Sequence, residues 1–263
     1  MEQFKKLEYL EIFKKILDLD NPVEPEGKKI ISLLEIIDED DYVLTTDNFR
    51  KMILILYRII ANIPVILMGE TGCGKTALIK KLNKLLNNGE KTLEIINIDP
   101  SYDNEKLILK MDEINRKSKS CKGELWAFFD ELNTCDSLSL ITEIFINRTY
   151  GRKELEKNIR LIGACNPYRK KKENKNIYGL TYQNDNDNNV ELVYLVNIQP
   201  QSLMYYVFNF GSLEKKNEDQ YISSIISDII PIQKLKEATK NAISKCHDYL
   251  RKTFDPSIVS LRK

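Results

Sequence analysis

Histidine and zinc-binding patterns are almost absent from this chain. Its 263 residues include 1 His and 5 Cys, and the cysteines form no Cys-x-x-Cys pair. Because zinc sites are built from clustered Cys and His ligands, this usage excludes a zinc site. Isolated cysteines in an odd number are typical of reduced intracellular thiols. We therefore expect no disulfide framework, and we expect His247 to be a surface residue of the last helix.

Long apolar runs and an excess of charge of one sign are also lacking. No run approaches the ~20 apolar residues that a transmembrane helix needs, and residues 1–6 open a charged amphipathic helix instead of a secretion signal. The 40 basic residues balance 39 acidic ones, which leaves a formal net charge of +1. Bulk charge therefore gives no argument for nucleic-acid binding. We expect a cytoplasmic protein with no transmembrane segment and no nucleic-acid partner.

The chain does contain a complete glycine-rich phosphate loop directly after the apolar residues 64–68. It reads Gly69-Glu70-Thr71-Gly72-Cys73-Gly74-Lys75-Thr76. This pattern predicts a buried strand, a tight turn and a helix that begins at Lys75, so that backbone amides converge on an anion. Lys75 is placed for the β- and γ-phosphates, and the Thr76 hydroxyl is placed for Mg²⁺. We predict that all eight residues bind a nucleoside triphosphate, with Cys73 as a small filler side chain.

A second motif is an apolar strand that ends in two adjacent carboxylates. It reads Leu125-Trp126-Ala127-Phe128-Phe129-Asp130-Glu131. A strand parallel to the first would bring Asp130 to the same sheet edge, where it can bind Mg²⁺, while Glu131 can polarise an attacking water. The alternative is a helix N-terminus that merely favours acidic residues. The order of the two motifs favours the catalytic interpretation.

Two further residues resemble the sensors of AAA+ ATPases. A third predicted strand, Ile159–Cys165, is followed by Asn166, whose amide can both donate and accept a hydrogen bond near the γ-phosphate. Asn-Pro alone is a weak motif, so this assignment depends on its position after the carboxylate pair. Arg262 lies in a segment similar to the one that carries the second sensor, and an ordinary surface arginine is an equal alternative.

The rest of the chain predicts an α/β fold with a parallel sheet flanked by helices and a small helical lid. We divide it into an N-terminal helical docking segment (1–44), a large α/β ATPase subdomain (45–199) and the lid (200–263). A short final strand is predicted over 192–196. The predicted lid helices cover residues 201–210, 219–230 and 234–252. The polar stretches at 169–175 and 184–189 are interpreted as a solvated loop, with a partner-contacting loop as the alternative.

Several segments together resemble the AAA+ modules of the mysterin family, giant RING-type ubiquitin ligases that carry such modules in tandem. The Asp-Glu-x-Asn-Thr-Cys string that begins at Asp130 is more specific than a general AAA+ signature. The resemblance covers most of the ATPase region and implies an AAA+ fold. Its segments are Thr45–Phe49, Asn62–Val65, Met68–Thr76, Phe128–Cys135, Asn158–Leu161 and Ala164–Arg169.

The resemblance also implies what the chain does and with what. It implies a catalytically competent module that binds ATP and Mg²⁺ and works beside neighbouring AAA+ modules or subunits in a ring. The protein substrate is unknown. No RING-type zinc cluster is encoded, so ubiquitin transfer is expected only in full-length relatives. We expect the chain to be a stand-alone paralogue or, because it ends within the second-sensor segment, a fragment of a longer reading frame.

Three functional hypotheses follow. The first is an ATP-hydrolysing module that couples nucleotide state to remodelling or to ligase regulation in a longer chain. The second is a nucleotide-binding structural module with negligible turnover, because the arginine that completes such sites normally comes from a neighbour. Candidates for that arginine are Arg148, Arg152 and Arg169. The third, a GTPase or small-molecule kinase, is disfavoured because no Asn-Lys-x-Asp guanine motif is present.

Overall fold

The computed structural model describes residues 45–86, 92–121, 123–169, 194–211, 215–229 and 233–253. The predicted docking segment (1–44), the polar tract at 184–189 and the candidate sensor Arg262 lie outside these residues. The helices are α1 (Thr46–Ile60), α2 (Lys75–Leu86), α3 (Asn104–Ser120), α4 (Leu138–Asn147), α5 (Gln201–Met204), α6 (Lys215–Ile229) and α7 (Gln233–Thr253). The strands are β1 (Val65–Gly69), β2 (Leu93–Asn97), β3 (Leu125–Asp130), β4 (Thr149–Tyr150), β5 (Lys153–Glu154), β6 (Ile159–Cys165) and β7 (Val207–Gly211).

Within the described residues, five strands form one parallel sheet in the order β2-β3-β6-β1-β7. Parallel strands need long crossovers, and α2, α3 and α4 supply those between β1, β2, β3 and β6, so that helices pack on both faces of the sheet. This arrangement confirms the predicted α/β fold with a parallel sheet flanked by helices. Strand β1 lies between β6 and β7, so its carboxyl end has neighbours on both sides. The phosphate loop leaves the sheet at that end.

Two hydrophobic cores cover the two faces of the sheet, and the alternation along β3 shows how one strand serves both. Trp126 and Phe128 pack on one face with the buried side chains of α1 and α2. Ala127 and Phe129 pack on the other face with α3 and α4, where the rings of Phe129 and Phe145 lie 5.2 Å apart, edge to face. A strand that is buried on both faces reads as a continuous apolar run, as this one does.

The predicted helix over residues 201–210 is wrong. Helix α5 ends at Met204, and Val207–Gly211 forms strand β7, which pairs in parallel with β1. The short aromatic run fits both periods, but its side chains alternate between the sheet faces: Phe208 and Phe210 pack with the core that contains α1 and α2, and Val207 packs with the other core. The predicted boundary between the α/β subdomain and the lid, at residue 199, stays a prediction, although strand β7 of the main sheet comes after it.

Other elements also differ from the predictions. The described part of the predicted strand over 192–196, residues 194–196, is not a strand. Strands β4 and β5 form a two-stranded antiparallel hairpin after α4 that the sequence did not predict. His247 is not a plain surface residue, because its Nδ1 atom lies 2.7 Å from Oε1 of Glu218 between α6 and α7, where that carboxylate side chain is only 4% exposed.

Gly163, in the middle of β6, is expected to tolerate no side chain. A Cβ atom there would lie 2.4 Å from Cδ2 of Leu132, which is fully buried and has little room to move. We therefore predict that Gly163→Ala lowers the free energy of unfolding by about 1–3 kcal/mol, measured by urea denaturation. Gly123→Ala is the matched control, because a Cβ atom at Gly123 would meet no atom within 4 Å. Equal stability of the two variants would contradict the packing described for β6.

Candidate nucleotide-binding site

The phosphate loop connects β1 to α2 as the sequence predicts. Strand β1 ends at Gly69 and helix α2 begins at Lys75. The turn between them uses Gly72 and Gly74 with φ angles of 78° and 93°, in the left-handed region that side chains disfavour. The first-turn amides of α2 are therefore presented to the space above the sheet edge. A helix N-terminus in this position is a ready-made anion-binding site.

The Lys75 side chain lies at the mouth of the loop and is 9% exposed. Its ammonium group donates to the carbonyl oxygens of Gly69, at 2.7 Å, and Glu70, at 3.0 Å. It also donates to Oδ1 of Asn166 at 3.3 Å, across the gap to β6. These acceptors hold a positive charge between the loop and the end of β6, where an anion in the pocket can meet it.

Thr76 and Asp130 come from different elements and are in contact. The Thr76 hydroxyl on the first turn of α2 donates to Oδ2 of Asp130, the last residue of β3, at 2.8 Å. Both are hard oxygen ligands, the type that Mg²⁺ prefers, and Mg²⁺ is commonly held by one or two carboxylates together with substrate phosphates. The donor set therefore fits a magnesium ion. In the part of the chain described, no three His, Cys, Asp or Glu side chains cluster to hold a metal by themselves.

Glu131 adopts a left-handed backbone conformation, with a φ angle of 58°. Such a conformation is uncommon for a residue other than glycine and often marks a functional site. It turns the chain sharply out of β3, and the Leu132 amide then donates to the carbonyl oxygen of Ala164 at 2.9 Å. Glu131 is exposed and lines the same pocket as Asp130. Its predicted role as the base that polarises water stays a prediction.

Asn166 lies directly after β6 and is 8% exposed. Its Oδ1 atom accepts from Lys75 and, at 3.4 Å, from the Thr71 hydroxyl, so it contacts the phosphate loop from the opposite side. Its own carbonyl oxygen accepts a hydrogen bond from Nδ2 of Asn133 at 2.9 Å. The buried Asn133 therefore fixes the backbone that carries Asn166. This contact joins residues that are far apart in the sequence, although Asn133 belongs to the Asp-Glu-x-Asn-Thr-Cys string.

These side chains surround a pocket of about 330 Å³ at the carboxyl edge of the sheet. Most of the predicted site residues line it, and Gly69, Glu70 and Cys73 lie in the loop behind it. Tyr221, on helix α6 of the predicted lid, also lines the pocket, which the sequence did not indicate. The lining residues are Thr71, Gly72, Gly74, Lys75, Thr76, Ala77, Asp130, Glu131, Ala164, Cys165, Asn166 and Tyr221.

Burial disfavours the thiolate form of the two cysteines near the loop. Burial raises the pKa of Cys73 despite the nearby Lys75, and burial raises the pKa of Cys165 to about 11. Because the thiolate is the reactive form, both groups are poor nucleophiles. This supports the interpretation of Cys73 as a small filler in the loop.

The chain is similar in sequence to one family of known proteins. Residues 42–169 match the family model described as RNF213 AAA domain. The E3 ubiquitin-protein ligase RNF213 of Homo sapiens is 32% identical over 247 aligned positions, and the match covers 84% of this chain and 5% of that protein. The chain belongs to the RNF213 AAA family. This confirms the predicted membership of the mysterin family, since RNF213 and mysterin are one protein.

Two further RNF213 proteins show the same likeness. That of Mus musculus is 35% identical over 216 aligned positions, and the match covers 74% of this chain and 4% of the relative. The E3 ubiquitin-protein ligase rnf213-beta of Danio rerio is 33% identical over 247 aligned positions, and the match covers 84% of this chain and 5% of the relative. The chain thus spans only about one twentieth of the length of the RNF213 proteins it matches. None of the described helices is both long and apolar enough to cross a bilayer.

Three arginines of this RNF213-family domain are candidates to complete the active site of a neighbouring module, and they differ in their contacts and exposure. Arg148 donates to the carbonyl oxygens of Glu156 and Ile159, both at 2.9 Å, and so stabilises its own fold. Arg152 is exposed at the turn of the β4–β5 hairpin. Arg169 pairs with Glu70 of its own phosphate loop at 2.9 Å. Of the three, only Arg152 is exposed.

Proposed function

We propose that this RNF213-family AAA domain binds ATP with Mg²⁺ and hydrolyses it. The observation that carries the proposal is the convergence of three chain segments on one pocket. The loop and the first turn of α2 supply Lys75 and Thr76, the end of β3 supplies Asp130 and then Glu131, and Asn166 follows β6. A pocket that served binding alone would have no need of an exposed carboxylate held in a strained turn beside the magnesium ligands.

Each side chain has a distinct part in the proposed reaction. Lys75 and the amides of the loop bind the β- and γ-phosphate oxygens, and Thr76 and Asp130 hold the magnesium ion. That ion neutralises charge on the phosphates when bound. Glu131 accepts a proton from the attacking water, and Asn166 orients that water and contacts the γ-phosphate through its amide. We assign ATP instead of GTP as the nucleotide because the sequence contains no guanine-recognition motif.

The proposal includes a neighbouring module. In phosphoryl-transfer enzymes an arginine supplied in trans can raise turnover about 10³–10⁵-fold. Among Arg148, Arg152 and Arg169, the first and last are engaged within the domain. No arginine is among the described residues that line the pocket. We therefore infer that full activity needs an arginine from a second AAA module or subunit in a ring. In a longer chain, the nucleotide state would drive remodelling of a protein or regulate a ubiquitin ligase.

The test is steady-state hydrolysis of MgATP by the purified chain at several protein concentrations. Specific activity that rises with concentration would support an active site completed by a neighbour. Activity that does not depend on concentration would support an ATPase that works alone and would contradict the ring. Tight MgATP binding without turnover at any concentration would favour the structural nucleotide-binding module instead.

A further inference from the structure

An ion pair joins the phosphate loop to the segment that follows the sensor strand. Nη1 of Arg169 lies 2.9 Å from Oε1 of Glu70. The two side chains are 36% and 25% exposed, so the pair is partly shielded from water. The other carboxylate oxygen of Glu70, Oε2, accepts a hydrogen bond from the Tyr194 hydroxyl. Both oxygens of this carboxylate are therefore engaged.

The position of Glu70 makes its charge important. It is the second residue of the phosphate loop, directly before Thr71 and Gly72, which line the pocket. A carboxylate there repels the phosphates that the same loop is proposed to bind. At an effective dielectric constant of about 20, charges several ångströms apart still interact strongly enough to change an affinity severalfold. The guanidinium group of Arg169 offsets that repulsion.

Arg169 and Tyr194 also tie the loop to other parts of the site. Arg169 is three residues beyond Asn166, whose side chain contacts Lys75 and Thr71. The Tyr194 hydroxyl accepts a hydrogen bond from the Thr71 amide at 3.5 Å. Burial, together with the neighbouring Glu70 carboxylate, raises the pKa of Tyr194, so its hydroxyl stays neutral and able to donate. Arg169 and Tyr194 thus contact the loop at Glu70 and Thr71.

We propose that Arg169 is a positioning residue that acts in cis: its charge neutralises the Glu70 carboxylate and so lets the phosphate loop accept a triphosphate. This role rests on the proposed function, because it concerns affinity for a triphosphate. It assigns Arg169 to its own domain instead of to a neighbour's active site. A Glu70 carboxylate without its partner should weaken MgATP binding more than removal of both charges does. The direction of the change in affinity is therefore fixed for each substitution.

The test is a double-mutant cycle on MgATP affinity, measured by titration with the full chain. Arg169→Met should weaken binding about fivefold to tenfold, and Glu70→Gln with Arg169→Met should restore it to within about twofold of wild type. Arg169→Lys, which keeps the charge, should also bind nearly as well as wild type. The loss in Arg169→Met should shrink as added salt reduces the Debye length from about 10 Å to about 3 Å.

The matched control is Arg160→Met. Arg160 pairs with Glu124 at 2.6 Å and lies near the opposite end of β6, away from the pocket. Its loss should leave MgATP affinity unchanged. If Arg169→Met does not fold, Glu70→Gln alone decides the matter, because it should bind MgATP about twofold to threefold more tightly than wild type.

Three outcomes would overturn the inference. Unchanged affinity in Arg169→Met would show that the pair does not affect the loop, while the proposed function would stand. A double variant as weak as Arg169→Met, or weaker binding in Glu70→Gln, would show a structural role that does not depend on charge. Wild-type chain that binds no MgATP would overturn the proposed function together with this inference.

Discussion

Lys75→Ala is expected to weaken MgATP binding about a hundredfold, or ~3 kcal/mol. The ammonium group lies at the mouth of the loop, and a charge-assisted hydrogen bond to phosphate in a partly buried site is among the stronger single contacts. No other basic side chain lines the pocket in the part of the chain described. Isothermal titration with MgATP would measure the change.

Lys80→Ala provides the matched control for this substitution. Lys80 is on the same helix, α2, and is exposed. Its loss should leave MgATP affinity within about twofold of wild type, because exposed charges are screened by solvent and salt. Since Lys75 also donates to two loop carbonyls, thermal unfolding of both variants should be recorded. Equal affinities of the two folded variants would contradict the proposed phosphate site.

Glu131→Gln is expected to lower kcat for ATP hydrolysis about 10²–10⁴-fold while MgATP affinity stays within a few-fold of wild type. The amide keeps the size of the side chain but cannot accept a proton from the attacking water. Asp130 and Thr76 remain in contact, so the magnesium ligands are unaffected. Single-turnover hydrolysis and titration on the same protein separate the two effects.

Glu105→Gln is the control for the loss of one carboxylate. Glu105 is exposed in the first turn of α3. Hydrolysis by this variant should match wild type. A Glu131→Gln variant that hydrolyses ATP as fast as the Glu105→Gln variant would remove Glu131 from the mechanism. The structural-module hypothesis would then gain support, provided that MgATP still bound tightly.

Local signals in the sequence predicted the parts of the site that follow a strand directly. The glycine loop after β1 and the carboxylate pair after β3 are such cases, because an apolar run followed by a specific polar residue fixes both position and orientation. The prediction that Asp130 lies at the same sheet edge as the phosphate loop depends only on the two strands being parallel. In the structure the Thr76 hydroxyl contacts Asp130 there at 2.8 Å.

The rest of the site depends on contacts that no local pattern encodes. Arg169 meets Glu70 across 99 positions of sequence, and Asn133 meets the backbone of Asn166 across 33. Tyr221 lines the pocket, but the sequence pattern of its helix, α6, indicates only an amphipathic helix. These contacts follow from the strand order, which places β1 beside both β6 and β7. A ligand site at the carboxyl ends of strands where the order reverses is common in parallel sheets.

The most direct test of the account is equilibrium titration of the purified wild-type chain with MgATP, repeated with MgGTP. We expect saturable binding of MgATP at one site per chain, with weaker binding of MgGTP. The lining of the pocket and the contact of Thr76 with Asp130 require that omission of Mg²⁺ weakens ATP binding. Absence of saturable MgATP binding, or an affinity that Lys75→Ala leaves unchanged, would contradict the claim that this pocket is a nucleotide site.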